Sequence, residues 1–531
     1  MRQSSTSSLE RIYPRCIALV DNTIWAAIVA GYEAEKDIHS LDEVLASRVS
    51  ELGLPEFLPG LARLEHTIAI TTDRSGEVPR TTDRRQINPT LTLIESTWSG
   101  LTQLIDSANN TPIDPPAQTS EIILIWYHPK HKEVKCRPAT DEDLLALKIV
   151  AEDIDPRDVA REGAVPTIAI ENALYDAIKQ GLILDPPSLI RRDQHNTEAW
   201  RTADEQFLQS SFFTIQWHIT QACDLHCRHC YDRSKRSPLT LEQGIGVLDD
   251  LLTFCRNHHV RGQVSFTGGN PFLYPHFFEL YRAAAERGFL TAILGNPVSR
   301  NQLEQIVAIQ MPVHYQVSLE GLEQHNDYIR GKGNFENVMA FLPILRDLEI
   351  SSQVMLTLTK DNIGQVLPLA ELLRNRVNSF TFNRLSQVGE GVRLAIPDRD
   401  EYREFLGQYI EAATLNPVMS LKDNLINIIR YQKGEALFGG CAGYGCSAAF
   451  NFIAILPDGE AHACRKFPSR IGNVCSESIE TIYDSDAARR YRAGTTSCHS
   501  CSIRPVCGGC LAVMYGQGLN IFEARDPHCF M

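Results

Sequence analysis

Short apolar runs alternate with longer amphipathic stretches through the middle of the chain. Six runs rich in β-branched and aromatic residues predict strands, at 212–220, 263–269, 289–296, 313–321, 352–359 and 379–385. The stretches between them, such as LEQGIGVLDDLLTFC, carry apolar residues at helical spacing. This alternation indicates an α/β fold with a parallel sheet. Six βα units predict an incomplete, TIM-like (β/α)6 barrel, whose functional loops follow the C-terminal ends of the strands.

The first 200 residues follow a different pattern. Residues 1–70 show helical periodicity, as in SLDEVLASRVSELG, whereas residues 71–90 are polar and predict a loop. The Pro-, Asn- and Ser-rich segment 109–120 predicts a linker. Beyond it, IILIWYH and KEVKCRP predict two strands. Helices are predicted over DEDLLALKIVAEDI and over IAIENALYDAIKQ, the second ending at Gly181 before another strand. Strands and helices in this order predict a winged-helix-like arrangement.

Composition and charge narrow the possible functions. The chain has 65 Asp and Glu against 51 Lys and Arg, a net charge of −14. Such a chain repels polyphosphate, so we expect no nucleic-acid partner. The first residues lack the apolar core of a signal peptide, and no run of about 18 apolar residues could cross a membrane. We therefore expect a cytoplasmic protein with no membrane partner and roughly three or four structural units.

Three of the fifteen cysteines, Cys223, Cys227 and Cys230, have the spacing C-x3-C-x2-C directly after the first predicted strand. Clustered cysteines in a cytosolic chain indicate metal ligands rather than disulfides. A closed zinc site needs four protein ligands. A cubane iron–sulfur cluster held by three cysteinates keeps one iron free for another ligand. The alternative is a zinc site that borrows His226 or His229.

Three further polar motifs follow predicted strands. TGGNP (267–271) follows the second strand, SLEG (318–321) the fourth and NRLSQVGEG (383–391) the sixth. We expect the two glycines of TGGNP to let the backbone approach a ligand where a Cβ would clash. Because the C-terminal ends of barrel strands meet at one mouth, the motifs and the three cysteines are expected to form one site.

The cysteine spacing and these motifs together resemble the radical S-adenosylmethionine (SAM) superfamily. The resemblance implies that Cys223, Cys227 and Cys230 hold a catalytic [4Fe–4S] cluster whose free iron binds SAM. It also implies that one electron cleaves SAM into methionine and a 5′-deoxyadenosyl radical, which abstracts hydrogen from the substrate. The positions that match the family's SAM contacts are Tyr231, Thr267, Gly268, Gly269, Asn270, Ser318, Glu320 and Arg330.

Individual matches carry more specific implications. TGGNP resembles the family's Gly-Gly-Glu-Pro motif, which binds the SAM amino group, with Asn270 in place of the glutamate. By resemblance, Ser318 contacts the SAM ribose or carboxylate, and Glu320 occupies the position of the usual aspartate. Arg330 is expected to pair with the SAM carboxylate as a guanidinium fork.

The last ninety residues hold a second group of cysteines, which resembles the SPASM extension that binds two auxiliary four-iron clusters. The pattern is Cys446-x12-Gly459-x4-Cys464, followed by C-x2-C-x5-C-x2-C from Cys498 to Cys510 and then by Cys529. The family usually has three residues within the last pair, where this chain has two. By order, the resemblance assigns Cys441, Cys446, Cys464 and Cys510 to the cluster nearer the barrel. It assigns Cys498, Cys501, Cys507 and Cys529 to the outer cluster, which makes three [4Fe–4S] clusters in all.

Other features of the cysteine pattern leave alternatives open. A zinc ribbon made from CHSC and CGGC is the alternative for the tail. Four cysteines match no pattern and are expected to be small buried hydrophobic residues: Cys16, Cys136, Cys255 and Cys475. After Cys464, sulfatase-maturating relatives carry an aspartate that is proposed to act as a base. Arg465 stands there in this chain and cannot accept a proton, so it either binds a substrate carboxylate or is a surface charge.

The chain is identified as a radical SAM/SPASM enzyme. Its segments ACRKFPSRIGNV, CSIRPVCGGCLAV and DPHCF resemble maturases of ribosomally made peptides (RiPPs), of the thiazole/selenazole or selenocysteine-peptide type. This implies a precursor peptide as substrate and an electron donor such as flavodoxin or ferredoxin. The modification stays open between a thioether or selenoether, a carbon–carbon cross-link and an epimerisation. The alternatives are a maturase of a folded protein, a cofactor-biosynthesis enzyme and, from another class, a zinc-stabilised peptide-binding adaptor.

Five domains are expected along the chain: an N-terminal helical region with its linker (1–118), a winged-helix-like domain (119–198), the radical SAM barrel (205–400), a helical connector (401–437) and the SPASM domain (438–531). The second domain loosely resembles the peptide-recognition elements of RiPP enzymes, which bind a leader peptide as an added strand on an exposed sheet edge. An accessory domain without a peptide partner is the alternative, and the acidic balance disfavours a DNA-binding winged helix.

Overall fold

The structure is a computed structural model that describes residues 9–34, 41–106, 115–192, 198–201 and 203–531. Two compact units are present. The N-terminal unit comprises residues 1–165 and 169–187, and the C-terminal unit comprises residues 166–168 and 188–531. The first part of the expected linker, up to residue 114, lies outside the described residues. Among the residues described, none of the helices is both long and apolar enough to span a bilayer.

The N-terminal unit contains most of the predicted helices and strands of the first 187 residues. Its helices are α1 (Pro14–Ala18), α2 (Asn22–Ala34), α3 (Leu41–Leu52), α4 (Leu58–Asp73), α5 (Leu101–Asp106), α6 (Asp141–Glu152), α7 (Pro156–Glu162) and α8, which spans Thr167–Lys179. Its strands are β1 (Gln86–Ile87), β2 (Thr92–Ser96), β3 (Glu121–His128), β4 (Glu133–Pro138) and β5 (Ile183–Leu184). The helices over SLDEVLASRVSELG and IAIENALYDAIKQ and the strand after Gly181 are therefore confirmed.

A three-stranded antiparallel sheet of order β2-β3-β4 forms the centre of the N-terminal unit. Ile123 and Ile125 of β3 pack into a core with helices α1 to α5, whereas Leu124 and Trp126 pack into a second core with helices α6 to α8. Alternate side chains of a strand point to opposite faces, so helices cover both faces of this sheet. Strand β2 precedes residue 118 and pairs with β3, so residues on both sides of the expected 118/119 boundary share one compact unit.

The C-terminal unit is built of strands that alternate with helices. Its helices are α9 (Glu198–Arg201), α10 (Leu241–Asn257), α11 (Phe277–Glu286), α12 (Arg300–Ile309), α13 (Glu323–Arg330), α14 (Asn334–Asp347), α15 (Val366–Leu373), α16 (Arg399–Leu415), α17 (Ile426–Gln432), α18 (Ile479–Asp484), α19 (Asp486–Ala493) and α20 (Leu511–Gly516). Its strands are β6 (Phe212–Thr220), β7 (Arg261–Gly268), β8 (Leu290–Leu294), β9 (Tyr315–Ser318), β10 (Ser352–Leu358), β11 (Ser379–Arg384), β12 (Phe452–Ile455), β13 (Glu460–His462) and β14 (Arg470–Asn473).

The six strands predicted for the barrel are confirmed as a parallel sheet in chain order from β6 to β11. Strand β12 then pairs with β6 in parallel, with Phe452 opposite Thr214, and β13 and β14 continue the sheet in antiparallel fashion. The cysteine-rich tail therefore extends the sheet of the barrel. This pairing was not predicted, because nothing in the local pattern of residues 452–473 indicates a partner more than 200 residues away.

The four cysteines outside the motifs differ in exposure. Cys16 and Cys255 are buried, as expected, and Cys136 is half-buried. Cys475 is exposed, so the expectation of a buried hydrophobic residue is wrong at this position. Its amide donates to Asn473 Oδ1 at 2.8 Å, in a turn that places the thiol at the surface.

Candidate active site

A cavity of about 960 Å³ lies against one face of the parallel sheet in the C-terminal unit. Side chains alternate along β6, since Gln216 and His218 line the cavity whereas Ile215 and Trp217 are buried in the apolar core. Strand β7 shows the same alternation. Because strand side chains point alternately to two faces, one period-two pattern supplies both the polar lining of the site and the core behind it.

The three cysteines of the C-x3-C-x2-C motif line this cavity: Cys223, Cys227 and Cys230. They lie in the loop that directly follows β6. Arg233 Nη2 donates to the Cys227 carbonyl at 2.9 Å and so braces the loop. Burial raises the pKa of the Cys227 and Cys230 thiols. The structure thus brings together the three residues expected to hold the catalytic cluster.

The glycine pair of TGGNP supports the cysteine loop. The amide of Gly269 donates to the Thr220 carbonyl at 2.9 Å, and the amide of Asn270 donates to the Ala222 carbonyl at 2.8 Å. A Cβ at Gly268, whose φ is +143°, would collide with the Thr220 carbonyl, and one at Gly269 would collide with that of Ala222. A Cβ at either position would therefore clash with the chain's own backbone. Both glycines also line the cavity, and their approach to a ligand stays a prediction.

Asn270 contributes to the same support. Its amide nitrogen donates to Asp224 Oδ1 at 3.2 Å, and its Oδ1 accepts from the amide of Phe272. Asn296, which follows β8, donates to the same Asp224 oxygen at 2.6 Å and lies 3.7 Å from the Cys223 sulfur. Sequence reasoning missed Asn296, although the LGN ending of the third predicted strand placed it at the expected mouth. Two amides thus fix the carboxylate next to the first cysteine.

Glu320 and Arg330 form a buried pair next to the cysteines. Arg330 Nε and Nη2 donate to Glu320 Oε1 at 2.9 and 2.7 Å, and the other carboxylate oxygen accepts from the Thr357 amide at 2.7 Å. Burial by itself would raise the pKa of Glu320, but the neighbouring His229 and Arg330 lower it to about 2. Arg330 Nη1 lies 3.9 Å from the Cys227 sulfur. Glu320 therefore holds the guanidinium with one edge directed at the cysteine motif.

The hydroxyls of Tyr231 and Thr267 already have partners within the protein. Tyr231 Oη lies 2.6 Å from His218 Nε2, and Thr267 Oγ1 accepts from Arg465 Nη1 at 2.7 Å. The Arg465 guanidinium also lies over the Tyr231 ring, 5.5 Å from its centre. Ser318, at the end of β9, lines the cavity. Arg465 is therefore a residue of the cavity wall rather than a solvated surface charge.

Three cations form one wall of the cavity: Lys422, Arg465 and Lys466. Within the described ranges, none of the three makes an ion pair with a carboxylate; the one polar contact of Lys422 Nζ is the Met355 sulfur at 4.0 Å. Burial lowers the pKa of Lys422. This wall has the charge to accept an anionic group of a ligand.

The four cysteines assigned to the cluster nearer the barrel are neighbours: Cys441, Cys446, Cys464 and Cys510. Cys441 and Cys464 line the main cavity. Burial raises the pKa of Cys446, with further increases from Cys510 and Cys441. Burial also raises the pKa of Cys464 to about 12, again with contributions from Cys510 and Cys446. Cys446 and Cys464 are thus each near Cys510, and the assignment of the four cysteines to one cluster stays a prediction.

The four cysteines assigned to the outer cluster line a separate small pocket: Cys498, Cys501, Cys507 and Cys529. Apolar side chains such as Leu425 complete its wall, and no cysteine of the other set belongs to it. Burial raises the pKa of Cys498 to about 11, with contributions from Cys501 and Cys529. These four cysteines thus share one pocket, and the assignment of the eight tail cysteines to two clusters stays a prediction.

The donor chemistry suits iron–sulfur clusters. In the part of the chain that the structure describes, no group of three or more His, Cys, Asp or Glu converges closely enough to bind a single metal ion. A four-iron cluster instead spreads its thiolates over separate iron atoms. Sets of three and four thiols around a cavity or pocket match that requirement.

A buried ion network that the sequence did not indicate joins the barrel to the tail. Arg384, the last residue of β11, donates to both carboxylate oxygens of Asp526 at 2.8 and 2.9 Å and to Asp423 at 2.9 Å. Asp526 Oδ2 also accepts from the Cys510 amide at 2.8 Å. Both Arg384, in NRLSQVGEG, and Asp526, in DPHCF, lie within segments singled out for other reasons. Only the fold shows that they meet.

Comparison with known proteins supports the same reading of the two cysteine groups. The family model of the radical SAM superfamily matches residues 217–373, and that of the SPASM iron–sulfur cluster-binding domain matches residues 446–510. The antilisterial bacteriocin subtilosin biosynthesis protein AlbA of Bacillus subtilis is 26% identical over 323 residues, which cover 57% of this chain and 67% of AlbA. The AdoMet-dependent heme synthase of Methanosarcina barkeri is 22% identical over 339 residues, which cover 59% of this chain and 95% of that enzyme.

A solved structure shares the fold. Streptococcus suis SuiB, crystallised with its precursor peptide SuiA, aligns with 77% of this chain and 97% of its own, with a TM-score of 0.52 and 16% sequence identity. Both domain matches fall where the cysteine motifs lie, and the fold places those motifs around one cavity. This chain is therefore a radical SAM enzyme with a C-terminal SPASM iron–sulfur domain.

Proposed function

We propose that this enzyme modifies a ribosomally made precursor peptide. The observation that carries the proposal is the N-terminal unit. Within its described residues, the small antiparallel sheet ends at strands to which no further strand is paired, and such an edge is suited to binding an extended peptide. AlbA is named for the biosynthesis of a bacteriocin, and SuiB was crystallised with a precursor peptide. The heme synthase is the relative that favours the cofactor-biosynthesis alternative, and its support is weaker than that of AlbA and SuiB for a peptide substrate. Nearly all of that enzyme aligns with 59% of this chain, so much of the remainder has no counterpart in it.

We assign the three sets of cysteines to three [4Fe–4S] clusters, one that binds SAM and two that are auxiliary. When bound, the SAM-binding cluster supplies the electron that cleaves SAM into methionine and a 5′-deoxyadenosyl radical. Gly268 and Gly269 support the cysteine loop, and Glu320 orients Arg330 toward it. Ser318 and Arg330 line the cavity as groups able to bind SAM.

The cation wall of the cavity supports a substrate with a carboxylate near the reacting position. Lys422, Arg465 and Lys466 have the charge to pair with an acidic side chain or a C-terminal carboxylate of a peptide. We further propose that a flavodoxin or ferredoxin supplies the electron and that the enzyme works in the cytoplasm.

Cys501→Ala is expected to lower the iron content by about four atoms per chain while SAM cleavage without substrate remains measurable, because the outer set shares no ligand with the barrel set. Iron analysis and assay of 5′-deoxyadenosine after anaerobic reconstitution test this. Cys475→Ala is the matched control, since this exposed thiol belongs to none of the sets and its loss should leave iron unchanged. Loss of the barrel cluster in a folded Cys501→Ala protein would contradict separate sites.

Strand β2 offers the free edge for a leader peptide. The amide of Ala139 donates to the Ile122 carbonyl, which sets the alternation of hydrogen bonds between β3 and β4. By that alternation, the backbone amides and carbonyls of Ile123 and Ile125 point toward β2. The backbone amides of Leu93 and Glu95 in β2 then point away from β3, toward the edge of the sheet. The side chain of Glu95 is exposed and that of Leu93 is 48% exposed. On the opposite edge, Val134 and Cys136 of β4 are partly buried against the core formed with helices α1 to α5.

Glu95→Pro is expected to weaken leader-peptide binding. Proline at an outward position removes one amide donor from the edge while leaving the β2–β3 ladder intact. Loss of one hydrogen bond of about 1 kcal/mol weakens binding roughly fivefold. The dissociation constant is measured by fluorescence anisotropy with a labelled precursor peptide, encoded in a reading frame next to the gene of this enzyme.

Val134→Pro is the matched control, because it removes an outward amide from β4 on the opposite edge. It should bind the peptide as tightly as the wild type. If only Val134→Pro weakened binding, the leader peptide would be assigned to the β4 edge instead. Unchanged binding by both variants would contradict recognition of the peptide on this sheet.

A further inference from the structure

Two buried arginines of the C-terminal unit, in the part that the structure describes, have no carboxylate partner. Arg192 is 4% exposed and Arg504 is 2% exposed. Arg192 donates to main-chain carbonyls, with its shortest bond, 2.8 Å, to Cys446. Arg504 Nη2 donates to the Ala493 carbonyl at 2.7 Å, and its Nε is buried with no hydrogen-bond partner. Burying an uncompensated charge strongly opposes folding, so these two cations need a counter-charge.

Aromatic rings rather than acids surround the two guanidinium groups. Arg192 lies 4.0 Å from the centre of the Phe450 ring, and Arg504 lies 5.2 Å from that of Trp200. A cation over a ring is only partly compensated. Both guanidinium groups lie near the same ring, because Arg192 is 5.8 Å from the centre of the Trp200 ring. The two arginines therefore repel each other in a site closed to solvent.

Both auxiliary cysteine sets lie within the reach of these charges. Arg192 bonds the main chain of Cys446, which belongs to the set beside the cavity. The Arg504 amide donates to the Cys501 carbonyl at 3.0 Å, and the Arg504 carbonyl accepts from the Cys507 amide at 3.4 Å, so Arg504 lies between two residues of the outer set. Each set thus has one of the two arginines in contact with its backbone.

We propose that Arg192 and Arg504 are the counter-charges of the auxiliary clusters and raise their reduction potentials. This rests on the assignment of one four-iron cluster to each tail set. Such a cluster with four thiolates is an anion, and its net charge and environment set its potential. A nearby buried cation stabilises the more negative, reduced state over the oxidised state. The arginines thereby favour electron acceptance by the tail of the enzyme.

The first test is a redox titration of the fully loaded enzyme followed by electron paramagnetic resonance. The SAM-binding cluster is recognised by the change of its signal on adding SAM, and the remaining signals belong to the tail. Arg504→Gln keeps a donor for the Ala493 carbonyl but removes the charge. At the wild-type midpoint, the reduced-to-oxidised ratio of a tail cluster should fall about tenfold, which corresponds to ~59 mV for a one-electron couple.

Arg489→Gln is the matched control for this titration. Arg489 is an exposed arginine of the same region that lies near Asp484 and Asp486, so its replacement should leave the tail potentials unchanged. Unchanged potentials in an Arg504→Gln enzyme with the wild-type iron content would overturn the proposal. A wild-type enzyme with only about four irons per chain would contradict the cluster assignment itself.

The second test is thermal unfolding of Arg504→Met with and without clusters. Without clusters, replacing an uncompensated buried cation by an apolar side chain should raise the melting temperature above that of the wild type. With clusters loaded, the same change should lower it, because the clusters lose a counter-charge. If Arg504 only holds the Ala493 carbonyl, Arg504→Met lowers the melting temperature equally with and without clusters, and that result would reject the proposal. This test also applies if Arg504→Gln fails to retain iron and cannot be titrated.

Discussion

Cys227→Ala is expected to abolish reductive cleavage of SAM. Cys227 is the middle residue of the three-cysteine motif, its thiol lines the main cavity, and Arg330 Nη1 lies 3.9 Å from its sulfur. Two remaining thiolates do not retain a cluster that needs three protein ligands and one open iron. The measurement is 5′-deoxyadenosine formed from SAM and dithionite after anaerobic reconstitution, in the absence of peptide. Cleavage at the wild-type rate would exclude the assignment of the catalytic cluster.

Metal analysis of the same preparations separates loss of the cluster from loss of the fold. Cys227→Ala should lack about four of roughly twelve irons per chain, with the tail clusters retained. Cys255→Ala is a suitable second control, because this thiol is buried in the apolar core and belongs to none of the three sets. Zinc in place of iron in the wild-type protein would favour the zinc-stabilised adaptor instead.

The strands of the barrel could be predicted because each one has a signal in its own local sequence. Each run of β-branched and aromatic residues is bounded by a turn or a polar motif, and parallel pairing in chain order follows from alternation with helices. The tail strands β12 to β14 could not be predicted in the same way. Phe452 pairs opposite Thr214 across a long stretch of sequence, and such pairing depends on the packing of the whole unit.

The same distinction between local and long-range signals applies to the candidate site. The spacing of Cys223, Cys227 and Cys230 identifies a ligand set, because ligands close in sequence carry their geometry with them. The residues that support these ligands are distant in sequence, so their positions could not be predicted in this way. Asn296, after β8, reaches Asp224, after β6, because both strands pair with β7 in the sheet. At position 268, the fold adds a reason for glycine that the sequence did not show, because a Cβ there would collide with the Thr220 carbonyl.

The network around Arg384 depends most strongly on the fold. Arg384 is 3% exposed, and its partners Asp526 and Asp423 come from two later segments of the chain. Each ion is costly to bury alone, and the three offset one another only in the assembled unit. Asp526 also accepts from the Cys510 amide, so this network positions a residue of the set beside the cavity.

Arg384→Met is expected to destabilise the C-terminal unit by about 3–5 kcal/mol, the effect of removing one partner from a buried ion pair. Methionine keeps much of the side-chain volume, so the loss reflects the unpaired carboxylates of Asp526 and Asp423 rather than a cavity. The midpoint of urea unfolding of the cluster-free protein, followed by tryptophan fluorescence, measures the change. Adding Asp526→Asn should recover part of the loss, because it removes one uncompensated charge.

Arg374→Met is the matched control for this measurement. Arg374 pairs with Glu371 at 2.7 Å on the surface, and both side chains are at least one-third exposed. Surface pairs of this kind contribute little to stability, because water screens their charges. The comparison therefore isolates burial as the cause. Equal small losses in Arg384→Met and Arg374→Met would mean that the carboxylates of Asp526 and Asp423 find water when the guanidinium is gone, and that the network does not hold the tail cysteines to the barrel.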